Sequence, residues 1–118
     1  MEWPGALESV EEIEIETSRG RDAAVHRTIV WPVVDQGVVY IRSYRGPEGR
    51  WYREALENPN VVIHVAGEAV PAEAVHAPDE ESIEHATAGF QRKYAASPDV
   101  EAMVRADVLE TTIRLEPR

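Results

Sequence analysis

Apolar and polar residues alternate with a period of two along most of this chain, and only a few stretches carry the longer period of a helix. Ile13, Ile15 and Thr17 alternate with Glu14, Glu16 and Ser18, the pattern of a strand with one wet face. The small, polar residues 17–22 then predict a turn. In the second strand Val25, Arg27, Ile29 and Trp31 share one face and His26, Thr28 and Val30 the other, as far as Pro32. Proline cannot donate to a ladder, so this strand is at an edge, bulged or interrupted. Asp35-Gln36-Gly37 is a hairpin turn, and Val38 to Ser43 is the third strand. Val61, Ile63 and Val65 alternate with Val62, His64 and Ala66; Gly67-Glu68 turns the chain, and residues 69–75 return with an internal Pro71. Residues 108–115, with Thr111, Ile113 and Leu115 on one face, predict a closing strand.

Between these six strands lie helical stretches. Residues 1–12 form a lead-in with a short helix over 6–12, Leu7 and Val10 on one side. Trp51 to Leu56 predicts a helix with Trp51, Ala55 and Leu56 against the sheet, ended by Asn58-Pro59-Asn60. Asp79, Glu80 and Glu81 open a further helix, acidic in its first turn as the helix dipole favours, in which Ile83, Ala86, Phe90 and Tyr94 recur at helical spacing. Gly89 weakens it by about 1 kcal/mol relative to alanine. Ser97-Pro98-Asp99 starts another through about Arg105. The whole is one mainly β (α+β) domain over 1–118, a six-stranded antiparallel barrel with short helices at its loops, because closure removes the edges of such a sheet.

Composition narrows the chemistry. Cysteine is absent, which removes disulfides, thiolate nucleophiles and thiolate metal sites. His26, His64, His76 and His85 form no close-spaced ligand pair, so no metal site is expected. A formal charge of −10 repels nucleic acid and anionic membranes. With no basic leader or apolar run of signal-peptide or membrane-spanning length, a cytoplasmic protein is expected.

Against that acidic background, residues 42–53 carry a formal charge of +3, with Arg42, Arg45, Arg50 and Arg53 against Glu48. Guanidinium groups so clustered either disperse into solvent or are kept together by an anion. Arg42, Ser43, Arg45 and Arg50 are candidate anion ligands at the end of a hairpin. For Ser43 the alternative is a strand-end hydroxyl bonded to backbone, and for Trp31 and Trp51 it is plain packing.

The run Tyr40-Ile-Arg-Ser-Tyr-Arg-Gly46, then Trp51, then Leu56-Glu-Asn-Pro-Asn-Val61 resembles the central motif of the split β-barrel flavin and deazaflavin oxidoreductases, related to pyridoxamine-phosphate oxidase and to deazaflavin-dependent nitroreductases. Arg27-Thr-Ile-Val-Trp-Pro-Val33 is similar to that superfamily's Arg-x-x-Pro-Leu strand, and Phe90 to Tyr94 with Thr111 to Pro117 resembles the closing helix and strand of its smaller branches. Gly46-Pro-Glu-Gly49 and Arg50 stand where the family has Gly-Gly and His-Pro.

The resemblance implies a split β-barrel homodimer with FMN or the deazaflavin coenzyme F-420 between the barrels. It places the phosphate on Arg42, Ser43, Arg45 and Arg50 and the ring by Trp51, Trp31 and the chain about Pro32, with Arg27 facing the same cleft. Hydride transfer is then the cofactor's chemistry, and no catalytic acid, base or nucleophile is required of the protein. Four arginines exceed what one phosphate uses, which favours the deazaflavin with its phosphodiester and carboxylate tail. Two functions follow: an oxidoreductase reducing a small organic acceptor, or a non-catalytic barrel that carries or senses a ligand.

Overall fold

Residues 3–118 are described by a computed structural model. The alternation at 13–18 and 25–30 builds a first hairpin, β1 (Ile13–Ser18) against β2 (Val25–Val30), with Ile13, Ile15 and Thr17 buried. A short helix, α1 (Gly5–Ser9), precedes it and buries Leu7. After β2 the chain does not stay on the same edge. Trp31 and Pro32 interrupt it, and it resumes as β3 (Val33–Asp35), which pairs with β4 (Val38–Ile41).

The remaining strands are β5 (Asn60–Val65), β6 (Glu68–His76) and β7 (Ile113–Pro117), and the order across the sheet is β2-β1-β5-β6-β7-β4-β3. Every paired neighbour is antiparallel. β2 and β3, consecutive in the chain, therefore occupy opposite edges of one curled sheet, a half-barrel. There are seven strands where the sequence predicted six. The missing one is β3, three residues long and hidden from periodicity because both its faces are covered.

Val34, Val39 and Ile41 point into the main core with Ile15, Ile63 and Leu115, whereas Val33 and Tyr40 point outward to a second cluster with Ala86, Phe90 and Met103. That outer cluster lies beneath α3 (Glu80–Lys93), capped by the Asp79 carboxylate, which accepts from the Ser82 N–H at 3.1 Å. Gly89 permits the approach: a β-carbon there would lie 3.0 Å from both Cβ and Cγ2 of Val33. Helix formation weakened at Gly89 is the cost of bringing α3 onto β3.

Several boundaries differ from expectation: the first helix ends at Ser9 rather than 12, and the strand from Val38 ends at Ile41 rather than Ser43. The closing strand starts at Ile113 rather than 108, because residues 106–111 wind into a 3₁₀ turn. The Thr111 and Thr112 hydroxyls donate to the Val108 and Leu109 carbonyls three residues back (2.6 and 2.7 Å), and such local bonds compete with a ladder. The helix predicted over 51–56 is α2 (Arg50–Glu57), and it buries Trp51, Tyr52, Glu54 and Ala55 while Leu56 is exposed. A one-turn helix, α4 (Val100–Val104), links α3 to the 3₁₀ turn.

Candidate functional site

The break at Trp31–Pro32 leaves a carbonyl without a ladder partner, and α3 supplies one. Lys93 Nζ and the Tyr94 hydroxyl both donate to the Pro32 carbonyl, at 2.7 and 3.1 Å. The single Tyr94 hydroxyl proton is shared with the Glu11 carbonyl, which is nearer at 2.7 Å, and the ring stacks on Trp31 with centroids 4.2 Å apart and planes 14° apart. Trp31 is thus fixed from behind and offers its other side to a cavity of about 560 Å³. That volume is typical of a site for one organic ligand.

Four segments wall the cavity: residues 28–31 from β2, 42–45 following β4, 49–51 at the start of α2, and Asp99 with Met103 from the α4 region. The basic stretch is folded rather than open. Gly46 N donates to Ser43 O at 2.9 Å, Gly46 takes φ +72°, and Gly49 N donates to Gly46 O at 3.1 Å, so two turns lead straight into α2. This brings Ser43, Arg45 and Arg50 to one wall.

Arg42 is also in that wall but is not free to act as a fork. It is 1% exposed. Its Nε donates to Thr112 Oγ1 (2.9 Å), Nη1 to Met103 O (2.9 Å), and Nη2 to Ile83 O (3.0 Å) and Thr87 Oγ1 (2.9 Å). Phe90 lies under its guanidinium at 5.4 Å. All of these acceptors are neutral, and burial lowers its pKa to about 10. It remains a cation at neutral pH, and it ties the end of β4 to α3, α4 and the residue before β7.

Ser43 is the opposite case. Its N–H donates to Thr111 Oγ1 at 3.0 Å, yet its own hydroxyl, 1% exposed, has no partner. The alternative of a strand-end hydroxyl bonded to backbone is therefore not realised. A buried hydroxyl without a partner costs about 1–3 kcal/mol, and a ligand in the cavity would relieve that cost. Arg45 and Arg50 are exposed at the same wall, and among the described residues neither has a salt bridge. This donor set fits a phosphate: one hydroxyl and two guanidinium groups around a space that backbone and glycine keep open.

The other residues singled out by sequence divide cleanly. Trp31 and Trp51 both line the cavity, Trp51 while also belonging to the core. Pro32 does not line it, since its carbonyl faces Lys93 and Tyr94. Arg27 is not brought there either. It points from the exposed face of β2 to Glu14, 2.7 Å away, beside a shallower cleft. Sequence reasoning missed Asp99 and Met103, which reach the cavity from α4 and the residue before it, far downstream of the loop, and carry no motif.

No histidine among the described residues lines the cavity. Each is engaged elsewhere: His26 with Glu54 (3.0 Å), His64 with Glu16 (2.8 Å), His85 with Asp35 (2.5 Å) and His76 with the Glu110 carbonyl (2.8 Å). Among the described residues no helix is long and apolar enough to cross a membrane.

The solved structures that share this arrangement are split barrels. An F420-H2 dependent reductase superposes with a TM-score of 0.66 at 16% identity, covering 90% of this chain and 94% of that one. A putative pyridoxamine 5'-phosphate oxidase from Listeria innocua gives 0.67 at 16% identity over 97% and 89%. HutZ, the heme storage protein from Vibrio cholerae, gives 0.63 at 14% identity over 93% and 83%. At these identities the likeness is one of fold, and the fold is the split β-barrel. A search of curated proteins finds no match. By sequence, the profile of uncharacterized proteins conserved in bacteria, DUF2255, matches residues 5–115, nearly the whole chain, and the protein belongs to that family.

Proposed function

We propose that the cavity holds a phosphate-bearing flavin-type cofactor and that the protein is an oxidoreductase acting on a small organic acceptor. The observation that carries this reading is the Ser43 hydroxyl, buried, without a partner and set in the cavity wall beside Arg45 and Arg50. Ser43 and the two arginines hold the phosphate through charge-assisted hydrogen bonds. Trp31, braced by Tyr94, and Trp51 flank the ring. Arg42 adds a fixed positive charge behind the wall without leaving its own partners. The bound cofactor supplies hydride transfer, and the protein binds, orients and excludes water.

The deazaflavin coenzyme is favoured over FMN. Arg53 lies one helical turn beyond Arg50 on the exposed side of α2, and Glu57, its candidate partner, pairs instead with Arg19 at 3.4 Å. Arg53 then carries positive charge along α2 beyond Arg50, which supports a ligand with a longer anionic tail.

A second copy of the chain is expected to cover the mouth. Ile29 and Tyr44 line the cavity yet are 59% and 61% exposed, and Val25, on the same face of β2 as Ile29, is 58% exposed. Related structures include a domain-swapped dimer. Apolar exposure of this kind at a ligand site is characteristic of an interface.

The test is titration of purified protein with each cofactor at low and high salt. The expected result is saturable binding, tighter for the deazaflavin and falling more steeply with salt. Uptake of neither cofactor would overturn the reading and favour a non-catalytic role with another ligand. Heme uptake with a Soret band, by contrast, would align the chain with its heme-storing structural neighbour.

A further inference from the structure

Facing the cavity from α2 and β2 are two walls that touch each other at one buried polar point. Glu54, one turn beyond Arg50 on α2, is 3% exposed. Its Oε1 accepts from Thr17 Oγ1 of β1 at 2.8 Å, and its two carboxylate oxygens lie 3.2 and 3.0 Å from Nδ1 of His26 on β2. Burial alone would raise this carboxyl's pKa. The hydrogen bonds from Thr17 and His26, with the nearby charges of His26 and Arg50, more than offset it and hold the group ionised.

His26 and Thr28 share a face of β2, and residues 28–31 are one wall of the cavity; Arg50 and Trp51, on the same helix as Glu54, are the other. We propose that Glu54 is a positioning residue that sets the separation of these two walls by gripping Thr17 and His26, and that the grip tightens when His26 takes up a proton. Neither Glu54 nor His26 lines the cavity, so the effect reaches the ligand only through Arg50, Trp51 and strand β2.

The groups bearing on the point are few. β1 contributes the neutral Thr17, β2 contributes His26, and α2 contributes the Arg50 guanidinium. A neutral imidazole can still donate from Nδ1 to the carboxylate, so the change is from an ordinary to a charge-assisted bond rather than from bond to no bond. Protonation of His26 should then raise ligand affinity by about threefold to tenfold.

This inference rests on the cavity being a ligand site, and its test has one arm without ligand. In the apoprotein, amide resonances of Thr28, Ile29, Arg50 and Trp51 should move together as His26 titrates, and should lose that movement in His26→Gln, which keeps a donor and cannot be charged. Glu54→Gln, which keeps the shape and accepts from Thr17, should likewise uncouple the two walls. Amides on α2 that stay still while His26 titrates would overturn the proposal whether or not any cofactor binds. In the second arm, with whichever cofactor wild type takes up, His26→Gln should flatten the pH dependence of Kd while Arg45→Ala weakens binding and preserves it. A pH dependence unchanged in His26→Gln would overturn the proposal and leave the cavity's assignment standing.

Discussion

Gly49 comes so close to Ser43 that a β-carbon on it would stand 2.3 Å from the serine hydroxyl oxygen. The hydroxyl is pressed against the bare backbone of Gly49, in a residue that belongs to the cavity wall. Ser43→Ala should therefore separate stability from binding. Removing a buried hydroxyl with no partner should raise stability by about 1 kcal/mol, while cofactor affinity falls by about 1–2 kcal/mol. Urea melts and cofactor titration of the same preparation check this, and a loss of stability would mean that the hydroxyl is already satisfied in the free protein.

Gly89→Ala sets two effects against each other. Alanine favours the helix by about 1 kcal/mol, but overpacking at Val33 costs about 1–3 kcal/mol, so a net loss is expected. Val33→Ala in the same chain should recover part of it, giving a favourable coupling in a double-mutant cycle. Additive losses would mean α3 does not need so close an approach.

Arg42→Ala should destabilise the protein by several kcal/mol, about 1–3 kcal/mol for each acceptor left unsatisfied, because two buried acceptors (Thr112 Oγ1 and Met103 O) and two half-buried ones on α3 (Ile83 O and Thr87 Oγ1) lose their donor. Arg45→Ala should leave the melting midpoint unchanged and reduce only cofactor affinity. Circular dichroism melts of the pair distinguish a structural arginine from a ligand-binding one. Equal stability of the two variants would contradict the geometry of Arg42.

The neighbours Lys93 and Tyr94 predict a stability maximum on the alkaline side. Burial lowers the Lys93 pKa to about 8, partly countered by Glu8 and Glu11. Between that value and the unfolded one near 10.4, the unfolded chain binds the extra proton, so stability rises with pH across this window, by roughly 1–2 kcal/mol after solvent screening. Burial raises the Tyr94 pKa, helped by Glu11 and Glu12. Above about pH 10 the unfolded tyrosine loses its proton first, and stability falls again. Urea midpoints measured from pH 7 to 11 should pass through a maximum, and Lys93→Met should remove the rising limb.

Most strands were visible in the sequence because one face of each is wet: Ile13, Ile15 and Thr17 announce β1 through the glutamates between them. β3 was not, since Val33 packs under α3 while Val34 fills the barrel, and residues buried on both faces do not alternate. The candidate site was legible in part for a similar reason. Arginines in an acidic chain are conspicuous, but sequence cannot tell which guanidinium folds inward. Arg42 does, since Met103, Ile83, Thr87 and Thr112 offer it acceptors brought together only by the fold. Arg27 turns away to Glu14, a cross-strand neighbourhood set by the β1–β2 register.

The run from Val25 to Asp35 supplies both edges of the sheet, with Trp31 and Pro32 as the crossing. The half-barrel is thereby buckled by a peptide chain, and its two margins stay tethered even where no ladder joins them. Lys93 and Tyr94 sit at the buckle, more than sixty residues away in sequence, so the end of α3 clasps a closure that covalent geometry has already made. A permuted chain opened at the Gln36–Gly37 turn would keep the buckle; one opened between Trp31 and Pro32 would leave the margins to those two side chains alone.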